Sequence, residues 1–137
     1  LYRRLTERAG RVDEATAFAE LHEIRKLGKR LRYMIEAFST LGDREAAAVV
    51  LRELKKVQNR LGAICDIDVQ QRTFADHAAR AAGAGERAEA AMLEALQAHF
   101  HSAGRKAHRK LVRRLRSLGT RAMSEAVAGL FPPPRDR

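Results

Sequence analysis

The run Leu21-His22-Glu23-Ile24-Arg25-Lys26-Leu27-Gly28-Lys29-Arg30-Leu31-Arg32-Tyr33-Met34-Ile35-Glu36 has the spacing of an amphipathic helix. At about 100° per residue, Ile24, Leu27, Leu31, Met34, Ile35 and Phe38 gather on one side. His22, Arg25, Lys26, Lys29 and Tyr33 gather on the other, with Arg30 and Arg32 at its flanks. Neighbours in that stripe, three or four positions apart, lie roughly 5–6 Å from one another, a spacing at which like charges destabilise an isolated helix. Folding alone does not account for such a stripe; a polyanion that neutralises it does.

Two further segments repeat the pattern. Lys55, Lys56 and Arg60 sit on a helix whose apolar face is Val50, Leu51, Leu54, Val57 and Leu61. From Arg105 to Arg121 there are eight Arg or Lys residues and no acid. There Leu111, Leu115 and Leu118 form the apolar stripe, and Lys106, Arg109, Arg113 and Arg116 the opposite one. The net charge of +10 over 137 residues agrees with an anionic partner: polyphosphate, nucleic acid or an acidic surface.

Punctuation along the chain sets the expected architecture. A short basic helix from Leu1 to Ala9 reads as the tail of a preceding element, giving a boundary near residue 14. A helix from Ala15 to Leu41 carries the first stripe. Gly42 and Asp43 supply a stop and an N-cap for a helix from Arg44 to Leu61, ended by Gly62. Asp66-Ile67-Asp68 reads as a turn, Asp66 and Asp68 serving as turn and capping residues, before a fourth helix that fades into the loop 81–85. A fifth spans Glu86 to Leu118 with a bend at Gly104. A short helix ends near Leu130, and Pro132-Pro133-Pro134 opens a tail of residues 132–137. The expected fold class is all-α: an antiparallel four-helix bundle of long helices over residues 15–131, with an additional short C-terminal helix.

Several chemistries find little support. A lone His22 with no second ligand one turn away suits zinc or iron poorly, and His99, His101 and His108 do not repair this. No Walker loop or acidic cluster for Mg²⁺ is present, so no catalytic residue, metal or cofactor is expected. Cys65, the only cysteine, excludes an internal disulfide; it reads as a buried structural thiol in a reducing, cytoplasmic setting. No apolar run approaches the ~20 residues of a membrane span. The sequence opens at Leu1 rather than Met, so missing targeting signals say little about the full protein. Five Phe and two Tyr, mostly at core positions, provide no platform for stacking bases, and no helix-turn-helix is apparent. Nucleic acid is therefore the second choice of partner.

The first segment resembles the signature of the CHAD family, the conserved-histidine α-helical domain. The pattern is carried by His22, Arg25, Lys29, Arg30 and Arg32, followed by Tyr33 and Glu36. A second block, Leu54-Lys55-Lys56-Val57-Gln58-Asn59-Arg60-Leu61-Gly62 and then Asp66-Ile67-Asp68-Val69, is similar to the family's leucine-rich helix and Asp-containing turn. Members typically carry two four-helix halves, and this chain is more similar to the second. The resemblance implies non-catalytic binding of inorganic polyphosphate in a basic cavity where the three cationic faces converge, and a place at polyphosphate granules; besides nucleic acid, the alternative it leaves is an accessory domain of a phosphate-polymer enzyme. His22 and Tyr33 would add neutral hydrogen bonds, and Arg its planar fork of donors. A single half also implies a homodimer or pairing with a first half, with Leu5, Phe18 and Phe131 as candidate contacts.

Overall fold

Helix boundaries follow the local hydrogen bonds closely. The computed structural model describes residues 1–130 and forms five helices there: α1 (Tyr2–Gly10), α2 (Phe18–Phe38), α3 (Arg44–Gly83), α4 (Arg87–Ser117) and α5 (Arg121–Gly129). The helix expected from Ala15 starts later because residues 13–16 form a side-chain-bonded turn. Asp13 Oδ1 accepts from Ala15 N at 2.9 Å, and Thr16 Oγ1 accepts from Asp13 N at 2.9 Å. Such local bonds compete with helix. Asp43 caps α3 as expected, accepting from Glu45 N (2.8 Å) and Ala46 N (3.1 Å).

The main correction lies in α3. Gly62 does not end it, and Asp66 and Asp68 form no turn; both are helical residues within one element of 40 residues. At 1.5 Å per residue it is about 60 Å long. A mid-helix glycine costs about 1 kcal/mol. Burial of Leu61 (0% exposed) and Ile64 (2%) on either side outweighs that, at about 1.5–3 kcal/mol per side chain. Asp68 is tied along the helix to Arg72, one turn on. The expected third and fourth helices are thus one, and the bundle has three long helices and two short ones.

α3 and α4 form an antiparallel hairpin. Its turn is a Schellman motif: Glu86 N donates to Ala81 O (2.9 Å) and Gly85 N to Ala82 O (3.1 Å). Gly85 occupies the left-handed region at φ 79°, where glycine carries no Cβ penalty. α4 runs as one continuous helix through Gly104, where a bend is expected from the sequence. Its missing side chain instead lets the helices approach, since a Cβ there would meet Ile67 Cγ2 at 3.2 Å.

One core joins all five helices. Leu5 and Ala9 of α1, Leu21, Ile24 and Leu31 of α2, Leu54 of α3, Leu111 and Leu115 of α4 and Met123 of α5 share it. α1 is fastened to the end of α4 by the Tyr2 hydroxyl, which donates to Leu118 O at 2.5 Å. Leu5 is fully buried in that core and is no dimer contact, whereas Phe18 is 40% exposed; Phe131 and the Pro-rich tail lie outside the described residues. The distal hairpin has its own thin core of Ala78, Ala81, Ala90 and Leu93 under Phe74. Met34 and Phe38, expected in the α2 stripe, are 40% and 48% exposed. The buried arc of α2 is turned toward Leu21 and Gly28 because the helix packs between α1 and α3.

Candidate polyanion-binding surface

The position of α2 between two helices divides its cations. Arg25 and Lys29, one turn apart, face α3 and line a groove of about 460 Å³ with Gln58, Asn59, Gly62, Ala63 and Asp66. Lys26 and Arg30 face α1 instead, in a smaller groove with Arg4, Arg8, Glu23 and Leu27. Lys26 is engaged there by Glu23, whose carboxyl the Lys26 hydrogen bond holds below its ordinary range. His22 and Tyr33 are exposed. Arg32 lies with Nε 3.4 Å from Glu36 Oε1 and its guanidinium 4.9 Å from the Tyr33 ring centre. That side chain is therefore held by its own helix through an ion pair and a cation–π contact.

Gln58 is the least expected member of the α2–α3 groove. It occupies a core-facing position of α3, is only 9% exposed, and its Nε2 has no hydrogen-bond partner. Buried amide donors are almost always satisfied. Here the unpaired one is sealed against α2, where a Cβ on Gly28 would meet it at 3.8 Å, while the residue itself lines the groove wall.

A second groove of about 340 Å³ lies between α3 and α4, lined by Arg60, Lys110, Arg113 and Arg114. Glu53 braces it: Lys56 Nζ donates to Glu53 Oε1 at 2.8 Å and Arg114 to Oε2 at 3.3 Å. The Lys56 hydrogen bond holds the Glu53 carboxyl below its ordinary range, against the opposing effect of burial. Asn59 lines the first groove and its neighbour Arg60 the second, so α3 is their shared wall. Lys55, Lys56 and Arg60 are exposed along it.

The three cationic faces thus contribute to a surface of two grooves flanking the α3 ridge, rather than to a single cavity. Of the expected stripe on α4, only Arg113 lines a groove; Lys106, Arg109 and Arg116 are exposed outside both. Lys110 and Arg114 take their place because α4 packs on α3 through the flank that carries them. Their charge was plain in the sequence, but the packing flank was not. Gln58 carried a clearer signal, a polar side chain between Leu54 and Leu61 on an apolar face.

Among the described residues no group of three or more His, Cys, Asp or Glu is arranged to hold a metal ion. None of the described helices is long and apolar enough to cross a membrane. Cys65 is half-buried rather than fully buried, and burial pushes its thiol up.

The model of the CHAD domain matches residues 1–75, which hold α1, α2 and most of α3. The chain belongs to the CHAD domain family. Neither the curated proteins nor the solved structures provide a match. The CHAD match takes in Arg25, Lys29, Gln58 and Arg60, while Lys110, Arg113 and Arg114 lie beyond it. The α2–α3 groove is therefore built wholly from the matched part, and the α3–α4 groove only in part.

Proposed function

We propose that this CHAD domain binds inorganic polyphosphate, without catalysis, along α3 and the grooves on its two sides, and so tethers its protein to polyphosphate bodies. The observation that carries the reading is the α2–α3 groove. Arg25 and Lys29 line it together with Gln58 and Asn59, and Arg60 continues the cations over the ridge toward Arg113. A uniformly charged phosphate chain needs a row of donors and no reading of bases. Lysines and arginines at one-turn spacing provide that row. The groove residues hold oxygens; none is arranged as a nucleophile beside a base. Granule association follows from the same affinity.

The test is displacement of fluorescent polyphosphate from the intact chain by unlabelled polyphosphate, duplex DNA, heparin or orthophosphate at physiological salt. Polyphosphate is expected to displace at the lowest concentration and orthophosphate hardly at all. Equal displacement by duplex DNA would favour a nucleic-acid-binding domain instead, and equal displacement by orthophosphate would remove the need for a chain.

A further inference from the structure

Away from the cationic surface, the start of α2 encloses a cavity of about 500 Å³ with α3 and α4. Its character differs from that of the grooves. Phe18, Ile64 and Ile67 give it apolar walls, and its volume falls within the roughly 300–1,000 Å³ usual for small-molecule sites. His108 lines it, 9% exposed, its Nε2 buried and without a hydrogen-bond partner. His101 and Arg105, at turn spacing on the same face of α4, line the same space. Ala17, the N-cap of this 21-residue helix, supplies no side-chain cap; Glu20 N donates to Ala17 O at 3.0 Å, so the N–H groups of Phe18 and Ala19 are the uncapped ones, at the end of α2 where Ala17 and Phe18 line the cavity.

We propose that this cavity binds a small organic anion, an oxyanion head on an apolar body. Arg105 and the uncapped turn of α2 hold the head, and the buried imidazole of His108 gains from the ligand the partner it lacks in the protein. Phe18, Ile64 and Ile67 cover the body. Glu14 lines the cavity as well and disfavours a polyvalent chain, so the occupant carries little charge and is distinct from polyphosphate. Carboxylates and phosphate monoesters share this head-group chemistry.

The experiment titrates the isotopically labelled full chain with 1-naphthylacetate and 1-naphthyl phosphate, with and without saturating polyphosphate. Saturable shifts are expected at Phe18, Ile67, Gly104 and His108, unchanged by polyphosphate, with uncharged 1-naphthalenemethanol binding far more weakly. The tighter of the two anions assigns the head group. Arg105 is exposed, and Arg105→Gln is expected to weaken both at least about tenfold while helicity and polyphosphate affinity stay as they were. His108→Phe removes the unpaired nitrogen without opening a void, and it too is expected to weaken both probes in a chain that remains folded. Absence of saturable shifts, shifts spread over the α3 ridge, displacement by polyphosphate, or full affinity in both variants would each overturn the proposal. None of these results bears on whether polyphosphate binds the grooves.

Discussion

Replacing Arg25 and Lys29 together by Gln removes both cations of the α2–α3 groove while keeping polar side chains of similar reach. If each neutralises one phosphate, counterion release sets the loss. For a flexible single-stranded polyanion each contact contributes about 0.7 to the slope of log K against log salt. Two contacts therefore remove about 1.4 from the slope. At about 0.1 M salt this corresponds to roughly 25-fold weaker binding, or about 1.9 kcal/mol. Stability should move far less. Both side chains are half-buried and lie off the core, and the change relieves like-charge repulsion of about 0.2–0.5 kcal/mol. That relief offsets some lost packing of the aliphatic stems. The net change is expected to stay within about 1 kcal/mol, a shift of a few degrees in Tm. Anisotropy of labelled polyphosphate across a salt series measures the slope, and circular dichroism follows melting. An unchanged slope would refute the placement of phosphate in this groove, and a collapse of helicity would assign the two residues to structure.

Other consequences concern the fold. Gly62→Ala is expected to stabilise the chain by about 0.5–1 kcal/mol in urea unfolding, because a Cβ there meets nothing within 4 Å and α3 passes straight through; destabilisation would restore the helix end expected there. Leu61→Ala, at a fully buried position, is expected to cost about 2–5 kcal/mol in the same assay, and a loss under 1 kcal/mol would contradict the packing. Glu53 has a folded pKa below its ordinary 4.5, so its stabilising contribution is complete above that value and is lost as pH falls through the lower folded value. Glu53→Gln should therefore flatten the acid limb of the stability curve in that window, and an unaltered limb would show that Lys56 and Arg114 do not hold the carboxylate.

Much of this fold is legible in the sequence where one residue decides one feature. Asp43 announces the start of α3, and Leu111, Leu115 and Leu118 announce the buried face of α4, because capping and 3.6-residue periodicity are local effects. Gly62, Asp66 and Asp68 misled for the same reason: their intrinsic preferences favour a break, and only packing of Leu61, Ile64 and Ile67 against α4 carries the helix through. The cationic stripe of α2 was equally plain, but its division was not. Arg25 and Lys29 part from Lys26 and Arg30 because α1 and α3 pack on opposite flanks, a tertiary fact with no local signal. The substitution of Lys110 and Arg114 for Arg109 and Arg116 in the α4 groove has the same origin.

Where a polyphosphate chain lies on the surface is the decisive question. Amide and side-chain chemical shifts of the labelled chain, titrated with polyphosphate of defined length, locate it. The prediction is that Arg25, Lys29, Gln58, Asn59, Arg60 and Arg113 respond together, while Lys26, Arg30, Arg109 and Arg116 respond weakly. Uniform perturbation of every surface cation, or a response confined to the α1–α2 groove, would contradict it.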